Sequence, residues 1–552
     1  MLQVTIETLS EDILMNVFRH FLAATPNIWP ILAWVCRRWR HIVFTSPLSL
    51  NLRLCCTHGT PVLKSLDCWP VLPIIVKYGG VQNLDPPTPE DDDNIIAALK
   101  QSGRVSSISL TVTSSFLDKL SAISEPLSEL EELVLLSQDK VQQTFPSTFR
   151  WGPRLRTLHS TRIAFPLLPP LLLPCQDLVD LQLHKIPSSG YFSPEVFANA
   201  LSGTPQLRSL TLHLLSFPPR RSLLGLPPPP GERIILPALT DLKYRGTSKY
   251  LDNLVARIDA AHLGDIDITV FSQPTMDASQ IGIFIERLEM QVSLRRAKVK
   301  TSAHVISIFL ADLSTSIPLR LHILCKRLDW QLSCMAQVCD QVSPFLSCVS
   351  SLWLNTAKPS CRRDDVDGEQ WLYLLRSFRF SGAKRFWVAN ELTTDILCVL
   401  GPANEGNTAM LPSLRQVRFE KPLLAMDGPS WDSVQTFIAA RWISGRPVEV
   451  TAPSYQCHIC HGSSEEQQEL KRHLRNKHKY QMLCSYCGEF ESTTGQNILF
   501  RSHLERSHPE IVHNDALISK PSLTESHLRN LVNRHSSLRA PESRRHLTLS
   551  HL

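Results

Sequence analysis

Apolar residues recur along this chain in two rhythms. The first is helical. Ile13, Leu14, Val17, Phe18, Phe21 and Leu22 fall on one face of a 3.6-residue period, which predicts an amphipathic helix. Ser10 suits its N-cap, and Glu11 and Asp12 place negative charge at the positive end of the helix dipole. In the run that follows, Trp34, Val35, Trp39, Ile42 and Val43 make a second stripe, with Arg37, Arg38 and Arg40 off it and Pro47 closing it. Three short helices within the first fifty residues bury too little surface to stand alone, so the unit is expected to lean on another domain or a partner.

The second rhythm is a repeat. "VSSISL" from Val105, "LEELVL" from Leu130, "LRTLHS" from Leu155, "LVDLQL" from Leu178, "LRSLTL" from Leu207, "LTDLKY" from Leu239 and "LGDIDI" from Leu263 share one apolar frame. Their starts lie 25, 25, 23, 29, 32 and 24 residues apart. "VSSLWL" from Val349 and "LPSLRQVRF" from Leu411 are later, less regular copies. Each copy predicts one short strand with its apolar side chains inward. "SPEVFANALSGTPQ" and "SKYLDNLVARIDAAHLG" predict return helices between strands. One copy cannot cover its own apolar face, whereas stacked copies can. The spacing is that of leucine-rich repeats without their asparagine, so an irregular solenoid is expected. The competing expectation is an α/β domain with leucine-rich strands and no repeat.

Composition narrows the function classes. Of 552 residues, 43% are apolar and 20% charged, enough for several cores. A net charge of +6 is too small for the whole chain to act as a polycation, so any basic effect is local. The 15 cysteines show no compact framework outside the C-terminal region, and no secretory signal opens the chain. A soluble protein of a reducing compartment is expected, cytoplasmic and/or nuclear, without a membrane span. No G-x-S-x-G elbow, phosphate-binding G-x-x-x-x-G-K or G-x-G-x-x-G occurs, so no enzyme is expected.

The C-terminal region carries metal chemistry. Cys457-x2-Cys460-x12-His473-x4-His478 offers two thiolates from a tight turn and two imidazoles from one helix, the tetrahedral set that Zn2+ prefers. Cys484-x2-Cys487-x15-His503-x4-His508 repeats the set with a longer gap. Two structural Zn2+ ions in two small ββα fingers are expected. Full ligand sets leave no open position for a catalytic water. In DNA-reading fingers, helix positions −1, 3 and 6 face bases. Here they are Glu466, Glu469 and Arg472 in the first finger, and Gln496, Leu499 and Ser502 in the second. Two glutamates oppose the phosphate field, and Leu499 reads no hydrogen-bond pattern. The basic cluster Lys471, Arg472, Arg475, Lys477 and Lys479 favours weak nonspecific contact with nucleic acid at most.

"LSEDILMNVFRHFL" (Leu9–Leu22), "VCRRWRHIV" (Val35–Val43) and "SPLSLNL" (Ser46–Leu52) resemble an F-box, with Ser10 where that family usually has proline. "QWLYLLRSFRFSGAKRFWVANEL", "LPSLRQVRF" and "FIAARWISGRPVEV" look like the C-terminal part of the large fungal F-box and leucine-rich-repeat group. The resemblance implies an α/β chain in five parts. These are an F-box over 1–55, a linker and first helical cap over 56–100, an irregular leucine-rich-repeat solenoid over 101–450, two zinc fingers over 451–510 and a mostly disordered basic tail over 511–552. It further implies a non-catalytic substrate receptor of a cullin–RING (SCF-type) ubiquitin ligase. Such a receptor docks a Skp-type adaptor, and through it a cullin, and recruits a protein target through solenoid and fingers. Leu9, Ile13, Leu14, Val17, Phe18, Val35 and Trp39 are implied as core or adaptor-facing, without division between the two roles. The rival expectation is a zinc-finger, nucleic-acid-binding transcriptional regulator whose N-terminal helices are only structural.

Overall fold

The computed structural model describes residues 8–24, 28–58, 60, 62–66, 71–78, 88–139, 143–215, 232–271, 279–288, 294–311, 319–325, 328–341, 346–356, 368–377, 382–389, 392, 396, 400, 411–419, 428–443, 445–451, 455–456 and 463–464. The chain is a mixed α/β structure whose strands are mostly parallel, in two compact units. The first comprises residues 1–297, 301–348 and 360–365, and the second 298–300, 349–359 and 366–552.

The first unit opens with helices α1 (Glu11–Ala24), α2 (Trp29–Val35) and α3 (Arg37–Thr45). Its sheet then runs through β1 (Leu54–Cys56), β2 (Ile74–Tyr78), β3 (Val105–Val112), β4 (Glu132–Ser137), β5 (Thr157–Thr161), β6 (Asp180–Ile186), β7 (Ser209–Leu214), β8 (Asp241–Gly246) and β9 (Asp265–Phe271). These strands neighbour one another in chain order, and every pairing among them is parallel. Three strands follow: β10 (Arg296–Thr301), of which residues 298–300 belong to the second unit, β11 (Val305–Ala311) and β12 (Leu319–Leu324). Here the order reverses. β12 lies beside β9 in parallel, and β11 pairs with β12 antiparallel. The ends of β10 close a hairpin on β11, Arg295 N–H donating to Ala311 O at 2.9 Å and Ser302 N–H to Val305 O at 2.9 Å.

The repeated leucines explain the parallel order. Leu130, Leu155, Leu178, Leu207, Leu239 and Leu263 are all buried, and each begins its copy at the same height of the sheet. The residue after each leucine donates to its counterpart one copy earlier. The bonds are Arg156 N–H to Glu131 O at 2.8 Å, Val179 to Arg156 at 2.8 Å, Arg208 to Val179 at 2.8 Å, Thr240 to Arg208 at 2.9 Å and Gly264 to Thr240 at 2.8 Å. This ladder extends the pairing one step before each strand and locks the register. The return helices lie where the pattern placed them. Ser193 caps Pro194–Leu201 by accepting from Val196 N–H, and Thr247 caps Ser248–Val255 by accepting from Tyr250 N–H.

Residues 56–100, expected as a linker and first helical cap, also contribute to the sheet through the end of β1 and through β2. The described helices in that stretch are Val62–Leu66 and Pro89–Leu99, the second held by a capping box between Thr88 and Asp91. Between Leu263 and Val349 the repeat frame is absent, yet β10 to β12 fill that span.

The second unit contains β13 (Ser351–Thr356), β14 (Arg385–Val388), β15 (Gln416–Phe419) and β16 (Glu449–Thr451), paired in that order and all parallel. Leu352, Leu354, Phe386, Val388, Val417, Phe419 and Val450 form its buried side. Helices Gly368–Ser377 and Gly428–Ile443 fall between its strands in the chain. Among the described residues no helix is long and apolar enough to cross a membrane.

Candidate functional site

The N-terminal helices carry the clearest conflict between chemistry and exposure. Ser10 Oγ accepts from Ile13 N–H at 3.4 Å, so α1 begins at its expected cap. Its helical stripe then splits in two. Leu14, Phe18 and Leu22 are buried, and the Phe18 ring meets Trp39 edge-on with centroids 4.7 Å apart. Ile13, Val17 and Phe21, one residue earlier in each turn, remain exposed. The i, i+4, i+8 spacing puts those three in one line on the outer side of α1.

The second helical run is not continuous. Cys36 adopts an extended conformation, with φ −158° and ψ 172°, and its Sγ caps α3 by accepting from Trp39 N–H at 3.4 Å. This break rotates α2 relative to α3. Ile42 and Val43 reach the core, as the stripe requires, whereas Trp34 is 68% and Val35 55% exposed. Ile31 and Leu48 are exposed as well.

Polar ties fix this arrangement. Trp29 Nε1–H donates to Arg53 O at 2.7 Å, Arg40 Nε–H to Ala33 O at 2.9 Å, and Arg38 to Leu9 O. Burying an isoleucine, valine or phenylalanine side chain is worth about 1.5–3 kcal/mol each. A small unit that leaves several of them in water presents an apolar contact surface. Of the seven residues implied as core or adaptor-facing, Leu14 and Phe18 are therefore core, Ile13, Val17 and Val35 face outward, and Leu9 and Trp39 are half-buried. Phe21, Ile31 and Trp34 complete the outward set. The sequence signal for them was their apolar character at positions flanking the buried stripe.

A second feature is the open face of the first unit's sheet. His159 Nε2 lies 2.7 Å from Asp180 Oδ2, and Gln182 Nε2 donates to the same carboxylate at 2.9 Å. Gln182 Oε1 lies 3.2 Å from His184 Nε2, and His184 Nδ1 lies 3.1 Å from His213 Nδ1. Burial alone would raise the Asp180 carboxyl, but the hydrogen bond and charge of His159 hold it below its ordinary value. Burial lowers His184, helped by His159, Lys185 and Lys243. Burial lowers His213 to about 4, helped by His184, Arg245 and Lys243. Farther along, Arg320 pairs with Asp265 and lies 3.5 Å from Asp267. Asp180, Asp265 and Asp267 are thus each tied to side chains on their own face.

The eight expected zinc ligands, Cys457, Cys460, His473, His478, Cys484, Cys487, His503 and His508, lie outside the described residues. Next to them, Tyr455–Gln456 pairs antiparallel with Ser463–Ser464, bracketing the segment that contains Cys457 and Cys460. A two-stranded hairpin around a Cys-x2-Cys turn fits the ββα finger. Among the described residues, no group of three or more His, Cys, Asp and Glu side chains could hold a metal ion. No known family model and no curated protein matches this chain.

Proposed function

We propose that the chain is a non-catalytic substrate receptor of a cullin–RING ubiquitin ligase, with its N-terminal helices acting as an F-box. The observation that carries this reading is the outward line Ile13, Val17 and Phe21 beside Trp34 and Val35. These side chains are apolar, exposed and set on helices whose inner faces are already filled. A Skp-type adaptor would cover them, and the cullin would follow through the adaptor. The leucine-framed strands, read as an irregular leucine-rich-repeat solenoid, and the two zinc fingers would recruit the protein target. The zinc would be structural, with four ligands per ion and no catalytic water.

Co-purification of the full chain with a Skp-type adaptor tests the reading. The wild-type chain retains the adaptor. Ile13→Glu/Val17→Glu loses it with an unchanged melting temperature, because both positions already face solvent. A wild-type chain that retains no adaptor overturns the proposal. Cys457→Ala leaves adaptor capture intact if helices and fingers are independent modules.

A further inference from the structure

The open side of the second unit's sheet is built unlike its buried side. Trp353 on β13 and Trp387 on β14 are register partners, and their rings meet edge to face with centroids 5.2 Å apart. Trp353 is 38% exposed and Trp387 half-buried, although the alternate residues of both strands are fully buried. Trp387 is in turn the register partner of Arg418 on β15. The Arg385 guanidinium lies 5.6 Å from the Trp387 ring centroid, and Lys298 Nζ lies 5.9 Å from that of Trp353. Two indoles and three cations therefore share one surface.

Lys298, Arg385 and Arg418 form no ion pair among the described residues. Among the described residues the acid of this face is Glu449, the register partner of Gln416; it stands two strands from Arg385, about 10 Å at ordinary strand spacing, and diagonally across from Arg418 without an ion pair to it. Lys298 and Arg385 rest on indole rings, an interaction that a better anionic partner readily replaces.

We propose that this face binds single-stranded nucleic acid, with bases against Trp353 and Trp387 and phosphates on Lys298, Arg385 and Arg418. A single strand offers both groups that the surface asks for. Its bases are free to meet aromatic rings, and its phosphates recur at a spacing that flexible lysine and arginine side chains can follow. A duplex hides its bases and would satisfy only the cations. An acidic peptide would likewise leave the indoles without a π partner. The site lies outside the zinc fingers and is independent of the ubiquitin-ligase reading.

The test is fluorescence anisotropy with the purified full chain and a labelled twelve-nucleotide oligo-dT or oligo-U strand. Three phosphate contacts predict that affinity falls about 20-fold between 50 and 200 mM salt, since a single strand gives a slope of about −0.7 per contact. Arg385→Glu/Arg418→Glu, both exposed, abolishes binding at physiological salt. Trp353→Leu and Trp387→Leu each weaken binding about tenfold. Unlabelled duplex competes at least tenfold less well than unlabelled single strand. Cys457→Ala/Cys484→Ala leaves the affinity unchanged. Binding that survives the arginine reversals, binding lost with the cysteine variant, equal competition by duplex, or no binding by the wild-type chain overturns the proposal.

Discussion

The two units carry open sheet faces with opposite electrostatic habits. In the first, Asp180 meets His159 and Gln182, and Asp265 and Asp267 share Arg320. Its carboxylates are answered within the face. In the second, Lys298 and Arg385 lie over indoles, and Arg418 sits beside Trp387 in register. Strand pairing is mostly parallel in the first unit and parallel in the second, and both units bury leucine, valine or phenylalanine on the other side of their strands. The buried side is thus fixed by packing, and the open side is free to differ. Paired carboxylates add to the stability of their face, whereas cations lying over indoles add little and are kept for a partner.

The largest effects should be those that leave the comparison untouched. Leu210→Ala in β7 and Phe386→Ala in β14 each remove a fully buried side chain. Each is expected to destabilise its own unit by about 2–5 kcal/mol, from lost apolar burial and the cavity left behind. Hydrogen exchange read by mass spectrometry separates the units, with deprotection near β6–β8 for the first variant and near β13–β15 for the second. A much smaller loss in one unit would mean that the buried sides are not equivalent.

The next pair attacks the difference itself. Arg320→Ala leaves Asp265 and Asp267 on one face of β9 without their shared cation, at an expected loss of about 1 kcal/mol. Arg418→Ala in the second unit should change stability by less than about 0.5 kcal/mol, as for most exposed positions away from special contacts. Urea unfolding followed by the same exchange readout measures both. Equal losses would erase the distinction between the faces.

How much of this was legible beforehand differs by element. The leucine frames located β3 to β9, β13 and β15, because each strand repeats the same inward pattern at nearly constant spacing. "VISIFLA" and "LRLHIL" carry no such frame, so the repeat does not foretell the reversed order of β10 to β12. Their alternation of period two was the cue available. At the N-terminus the apolar residues were visible, but their division into inner and outer sets was not. That division depends on the extended Cys36, which ends α2 and places Trp34 and Val35 outside. Trp353 and Trp387 are separated by more than thirty residues, and only strand register brings their rings together.

The smallest expected effect concerns acid. His213 titrates at about 4 in the folded chain, against about 6.5 for an exposed histidine. Burial and the charges of His184, Arg245 and Lys243 disfavour its protonated form, and Asp180 lies one hydrogen-bonded step beyond His184 through Gln182. The folded pKa is the lower one, so the unfolded chain takes up the proton first as pH falls. The stabilisation is fully present above about pH 6.5 and is lost progressively toward pH 4. Asp180 adds a second loss at more acid pH, because its folded pKa also lies below its unfolded value. Exchange protection of β6–β8 should therefore fall between pH 6.5 and 4.5, while that of β13–β15 stays nearly level. His213→Asn removes a titrating ring and should flatten the first response. An unchanged slope in that variant would assign the acid sensitivity to groups other than the His184–His213 pair and would leave the self-answered face without its pH signature.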